Sequence, residues 1–347
     1  MGATARAHVG RNAIFVTDHP LDETELIQTY LAPLTRGAAG AFDLSDDAAV
    51  LSPPAGSDLV ISTDPIIAGV HFFADDRADD IAWKALAVNV SDLVAKGATP
   101  WAYTMTLAFP AVPDRQWMAT FSSGLEAAQH AFGCALVGGD TDRTPGPLAI
   151  GVTAIGLVKT GDMIRRRTAR AGDHVVVTGT LGDSALGLTL HRAPAAFGSE
   201  MMAGDAAFLI GRYLRPNPRL ELVPALRCYA TAALDISDGF LKDCERLVGS
   251  GGLTVPFSRL PLSPSARSAV AAEPGLRSAI LAGGDDYEVL FSVAPEDVGH
   301  VVKAAANVGV NVTDLGVITG TSGISVVDSD GQEIRNAVSG YDHFRQK

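Results

Sequence analysis

Acidic residues stand repeatedly at the ends of apolar, strand-like segments, from Asp46 to Glu288. That recurrence constrains the fold more than any other feature, because the carboxylates can act together only if distant segments meet in one cleft. The first instance is the stretch 44–73, LSDDAAVLSPPAGSDLVISTDPIIAGVHFF. Asp46 and Asp47 precede an apolar run, and Val60-Ile61 opens into Ser62-Thr63-Asp64, with His71 following. Hard oxygen donors in this arrangement suit Mg²⁺, which keeps several waters and is shared with substrate phosphates. A turn at Asp46-Asp47 and a helix cap at 62–64 explain the same residues without a ligand.

The remaining acidic motifs follow in order. The segment 79–97 reads as a helix capped by Asp79 or Asp80 and closed by Gly97, with Trp83, Leu86, Val90, Leu93 and Val94 as its apolar stripe. Asn89 and Asp92 share a face beside that stripe, and a core-side carboxylate needs a metal, a lysine or a backbone N–H as partner. Gly138-Gly139-Asp140 follows a short strand at 135–137, where paired glycines admit a ligand or make a tight turn. Leu234-Asp235-Ile236-Ser237-Asp238-Gly239 enters a helix near Phe240 with more acceptors than one cap requires. Gly283-Gly284-Asp285-Asp286-Tyr287-Glu288 runs into a strand at 289–293.

Further helices are expected at 22–34, 114–130 and 295–307, and further strands at 101–109, 148–158 and 174–178. The alternation implies an α/β (α+β) chain of two domains, 1–160 and 161–347, with a basic connector at 159–173 between them. That connector carries Arg165, Arg166, Arg167 and Arg170, and guanidinium groups pair bidentately with phosphate.

With a formal net charge of −12, non-specific binding to nucleic acid or an anionic membrane is not expected. A phosphate ligand beside so many carboxylates would need cations between them. Cys134, Cys228 and Cys244 lack CxxC spacing and read as reduced thiols of a cytoplasmic protein. Residues 1–20 contain no apolar signal core and read as a flexible extension. There is no GxxxxGK[ST], no GxGxxG, no HExxH and no GxSxG. Separated aspartates, Gly-Gly turns and one arginine cluster fit phosphoryl transfer, which needs charge neutralisation and positioning rather than covalent chemistry.

The ordered set SDDAAV, ISTDPIIAGVHF, KALAVNVSDLVAKGATP, LVGGDTD, GDHVVVTGTLGDSALGL, LDISDGF, GGDDYEVLF and GYDHF closely resembles the thiamine-monophosphate kinase family from about residue 22 onward. It resembles, more distantly, the aminoimidazole ribonucleotide synthetase and selenophosphate synthetase superfamily. The resemblance implies a homodimer whose N-terminal domains pair through a barrel-like β interface, with a sandwich-like C-terminal α/β domain. The reaction implied is ATP-dependent conversion of thiamine monophosphate to thiamine diphosphate by in-line transfer, with no covalent or general-base residue. Several Mg²⁺ ions would be held by Asp47, Ser62, Thr63, Asp64, Asp92, Asp140, Asp235 and Asp238. ATP would touch Gly139, Asp140, Arg166 and Ser237, and thiamine monophosphate would lie against His71, Asp285 and Tyr341. Two departures stand out: Asp43-Leu44-Ser45 replaces the usual Gly-Ile-Gly, and Asp285 replaces a Glu, one CH₂ shorter. The alternatives are a sister ATP-dependent enzyme acting on another small phosphorylated or amide substrate, and a silent nucleotide-binding regulator.

Overall fold

The computed structural model describes residues 19–194, 196–197, 202–334, 340–342 and 344. Residues 1–18 of the expected extension and His343 of the terminal motif lie outside the described residues.

In chain order the elements are α1 (Glu23–Leu26), β1 (Ser57–Ile67), α2 (Ala78–Ala95), β2 (Thr99–Phe109), α3 (Arg115–Phe132), β3 (Ala135–Arg143) and β4 (Ala149–Lys159). The second half continues with β5 (His174–Thr178), α4 (Asp183–Arg192), α5 (Ala203–Leu214), α6 (Val223–Tyr229), β6 (Ala230–Asp235), α7 (Phe240–Val248) and β7 (Gly252–Pro256). It ends with α8 (Pro264–Ala272), α9 (Arg277–Ala282), β8 (Val289–Val293), α10 (Val298–Asn307), β9 (Val312–Val317) and β10 (Gly323–Val327). The result is the mixed α/β chain with two sheet-bearing halves that the alternation implied.

The first half carries an open four-stranded sheet in the order β1-β4-β2-β3. β2 and β3 run parallel because α3 carries the chain back between them, and the other two pairs are antiparallel. The second half carries an antiparallel sheet in the order β6-β8-β5-β9, beside a parallel pair β10-β7. No sheet closes into a barrel among the described residues.

Three local expectations are revised. The helix at 22–34 is regular only through Leu26, where Asp22 caps it by accepting from the Glu25 N–H at 2.8 Å; wider and tighter turns then lead to Thr35, past Pro33, which lacks an N–H. Gly138-Gly139-Asp140 is not a turn but the middle of β3, in register with β2. A Cβ on Gly139 would stand 1.8 Å from the Met105 carbonyl oxygen, so glycine permits the strands' close approach. Asp79 and Asp80 lie in the first turn of α2, and Arg77 holds the cap position.

Helix α2 is where the halves join. All but three of its 18 residues are buried, so it has no solvated face opposite an apolar stripe. One hydrophobic core runs from Leu86, Val90 and Val94 through the sheet residues Leu107 and Ile150 to Val176, Tyr287 and Phe291 of the second half. The three residues not fully buried are Asp79, Trp83 and Asp92. Asp79 pairs with Arg215 at 2.8 Å, and the Trp83 indole donates to the Pro216 carbonyl at 2.8 Å. Asp92 faces the cleft.

Candidate functional site

The cleft, of about 310 Å³, lies along the seam between the halves. Asp92 comes from α2 and Lys96 from its C-cap, Ile164, Arg165 and Arg166 from the connector, and Asp235, Ser237, Asp243 and Arg246 from the β6–α7 region. Three segments distant in sequence thus meet in one cavity. Arg165 and Arg166 both face it, whereas Arg167 lines a neighbouring pocket of about 380 Å³.

Its acidic end is built around Asp235. This carboxylate, at the end of β6, is buried and accepts from the Ser91 hydroxyl at 2.6 Å. Burial pushes its pKa well above the carboxylate range, and the charge on Asp92 pushes it further, against the Ser91 bond and the charge of Lys96. The Ser62 hydroxyl donates to Asp92 from β1. Lys96 donates to the Ala233 carbonyl at 2.6 Å, and burial lowers its pKa. Tyr287 is buried where the charges of Asp285, Asp235 and Asp64 all bear on its hydroxyl, so carboxylates from both halves surround it.

The β6–α7 turn supplies main-chain geometry. Asp243 accepts from the Ser237 and Asp238 N–H groups at 3.1 and 2.9 Å, and burial raises its pKa to about 6. Asp238 pairs with Lys242 at 3.0 Å and Arg246 at 2.7 Å. Tyr341 docks on this turn: its N–H donates to the Asp238 carbonyl at 2.8 Å, and its own carbonyl accepts from Lys242.

Strand alternation sorts the remaining candidates. Ser62 and Asp64 occupy the α2-facing registers of β1, and Asn89 of α2 brackets the main chain of Asp64, accepting its N–H at 2.8 Å and donating to its carbonyl at 3.3 Å. Thr63 points to the other, open face, where its hydroxyl bonds the Val152 carbonyl at 3.1 Å and Thr153 at 3.0 Å. Asp140 shares that open face through the register Pro65–Gly151–Thr106–Asp140. Asp47 is exposed, its N–H held by Asp46 at 2.8 Å, and neither it nor Asp140 lines the cleft. Among the described residues no group of three or more His, Cys, Asp or Glu side chains is placed to hold a metal ion. The donor chemistry of the cleft nevertheless fits a hard dication, since the charge of Asp92 adds to what burial already costs the ionised Asp235.

His71 and Asp285 meet at a second locus. The buried ammonium of Lys84 bonds Asp285 at 2.9 Å and the His71 carbonyl at 3.0 Å, and Tyr213 donates to the same carbonyl at 3.1 Å. The Ile67 N–H donates to His71 Nδ1 at 3.0 Å, which places the neutral ring's hydrogen on Nε2.

Lys84, Ser91, Lys96, Asp243 and Arg246 escaped the sequence reading. The spacing of seven between Lys84 and Ser91, and of four between Asp92 and Lys96, would have put polar partners on one side of α2.

Residues 45–158 match the family model for the N-terminal domain of AIR synthase related proteins, and 170–329 match that for the C-terminal domain. The thiamine-monophosphate kinase of Caulobacter vibrioides is 41% identical over 311 residues, covering 88% of this chain and 86% of that protein. That of Escherichia coli K12 is 39% identical over 304 residues, covering 87% and 91%. The crystal structure of thiamine-monophosphate kinase from Stenotrophomonas maltophilia superimposes with a TM-score of 0.78 at 37% identity, covering 88% of this chain and 97% of that one. The AaThiL complex with AMPPCP and TMP superimposes at 0.73 with 29% identity, covering 86% and 91%. Escherichia coli HypE shares the fold at 20% identity and a TM-score of 0.72, covering 91% and 96%. With that identity sustained through both halves, the chain belongs to the thiamine-monophosphate kinase family.

Proposed function

We propose that this protein transfers the γ-phosphoryl group of ATP to thiamine monophosphate, giving thiamine diphosphate and ADP by direct in-line displacement. The observation that carries the reading is the seam cleft, where Asp92, Asp235, Ser237 and Arg166 from three separate segments meet at one cavity. Membership of the family and the AaThiL complex with AMPPCP and TMP support the choice of nucleotide and acceptor.

Mg²⁺ would be held by Asp92 and Asp235, with Ser62, Asp64 and Asp238 nearby on the segments that frame them. When bound, it would neutralise the triphosphate against these carboxylates. Arg166 would hold phosphate, and Ser237 would sit beside the nucleotide in the turn between β6 and α7. His71 and Asp285 would receive thiamine monophosphate, and Tyr341 would offer a ring face to its cationic thiazolium.

Thr63, Asp140 and Asp47 need a further element. We assign them to metal and nucleotide binding together with Gly139, at the edge of a homodimer formed through the open face of the first sheet. That face carries Leu59 at 41% and Ile61 at 61% exposure beside Thr63 and Asp140. We place the boundary between the two domains at 160/161, next to the limits of the two family models. We assign the protein to the cytoplasm from its three cysteines without CxxC spacing; no helix among the described residues is long and apolar enough to cross a membrane.

The test is direct. Purified protein with Mg²⁺, ATP and thiamine monophosphate should yield thiamine diphosphate by chromatography, and lose that yield with EDTA. Absence of product at saturating substrates rejects the function.

A further inference from the structure

Lys84 is the least expected residue at the seam. It sits in the middle of α2, its side chain only 3% exposed, in a helix whose neighbours are apolar. An ammonium so enclosed is retained only if its donors are satisfied. They are: one goes to Asp285 Oδ2 at 2.9 Å, one to the His71 carbonyl at 3.0 Å, and the charge lies 3.8 Å from the centre of the Tyr213 ring.

Both partners belong to strained or tightly turned main chain. Asp285 has φ +70° and Tyr287 φ +50°, a left-handed conformation that side-chain-bearing residues adopt only when held. The Tyr287 hydroxyl donates to Asp285 Oδ1 at 3.2 Å, so both carboxylate oxygens are engaged. His71 closes a tight loop after β1, in which its N–H bonds the Ile67 carbonyl at 2.9 Å and the Gly69 N–H bonds the Phe72 carbonyl at 2.7 Å. Lys84 therefore ties a loop of the first half to a loop of the second through one cation.

We infer that Lys84 is a positioning residue for the acceptor substrate: it sets the separation and orientation of His71 and Asp285, and so the shape of the thiamine monophosphate side of the site. Enclosure excludes direct contact with substrate, so it acts through those two residues. The inference also accounts for the shorter acid at 285: Asp reaches Lys84 and Tyr287 together from a left-handed backbone. It rests on the reading of His71 and Asp285 as acceptor-binding residues.

The test compares wild type with Lys84→Gln, Asp285→Asn and the double variant, measuring KM for each substrate, kcat and thermal midpoint. Lys84→Gln and Asp285→Asn should each raise KM for thiamine monophosphate at least tenfold. KM for ATP should stay within twofold, because the nucleotide cleft is lined by other residues. The double variant should be no worse than the poorer single, since groups acting as one unit are not additive. An unchanged KM for thiamine monophosphate, an equal rise in both KM values, or additive effects overturn the inference. Should Lys84→Gln fail to fold, Lys84→Met with Asp285→Asn removes both charges together. In that variant a wild-type KM for thiamine monophosphate overturns the inference, and a selective rise supports it. A wild type that makes no thiamine diphosphate overturns the function itself, and this inference with it. An active wild type whose variants keep their acceptor KM overturns the inference alone.

Discussion

Three consecutive residues, Phe42, Asp43 and Leu44, have φ of +49°, +52° and +56°. The left-handed region costs a side-chain-bearing residue about 1–2 kcal/mol, and glycine almost nothing. This is where the Gly-Ile-Gly of the resemblance gives way to Asp43-Leu44-Ser45. The backbone shape suited to glycine persists without it, braced by Thr35 donating to Asp43 at 3.3 Å and by Ser45 bonding the Phe42 carbonyl at 2.5 Å. Asp43→Gly should therefore stabilise the protein by about 1 kcal/mol in urea denaturation; a loss of stability would mean that the Thr35 bond outweighs the strain. Asp243 offers a second test. Its folded pKa, about 6, lies above its ordinary value of 3.8 because of burial. Below about pH 4 both states are protonated and the group costs nothing; as pH rises through 6 the folded state must carry a buried charge, and stability of up to about 3 kcal/mol is lost. With chelator present, Asp243→Asn should flatten the stability curve between pH 4 and 7. A curve parallel to wild type would show that Arg246 already neutralises the carboxylate.

At the scale of elements, α2 differs most from its sequence pattern. The spacing of Trp83, Leu86, Val90, Leu93 and Val94 announced a helix with one apolar stripe, and the helix is present at Ala78–Ala95. What no spacing could show is that a second layer covers the other side. Ala82, Ala85 and Ala87 suit a surface or a tight interface equally; Ala82 is covered by α3 at Gly124, and β6 and β8 come against the helix from the second half. For the same reason Lys84 and Ser91 were overlooked: polar residues on a helix normally face water, and here they face Asp285 and Asp235 from the other half. The Gly138-Gly139 pair was legible as a place of close approach but not as strand, since glycine weakens a strand pattern. Leu86→Ala should cost about 2–5 kcal/mol as a buried deletion. Because its core spans both halves, unfolding should remain a single transition by calorimetry; two separated transitions would show that the halves are independent.

For the molecule as a whole, the order of the acidic motifs was the most readable signal. It implied two α/β halves meeting at a cleft, and Asp92, Asp235, Ser237 and Arg166 do meet there. Asp47 and Asp140 do not line it, and strand periodicity explains Asp140: at a period of two, adjacent residues point to opposite sides of a sheet. If the open face is a homodimer interface, Ile61→Lys should convert a dimer to a monomer by light scattering and lower turnover at least tenfold. A dimer that survives the substitution would move the interface elsewhere. Asp235→Asn should raise the thermal midpoint of the metal-free protein, by removing a buried carboxylate that lies against the charge of Asp92, while abolishing turnover.

The largely enclosed α2 also bears on how such a protein can be cut and recombined. A fragment ending near 160 would leave the side of that helix facing β6 and β8 as a bare greasy surface, with Lys84 an orphan cation in it. Such a fragment should precipitate when expressed alone and be rescued by co-expression of its other piece, so exchange of halves between relatives would succeed only where both sides of the seam travel together.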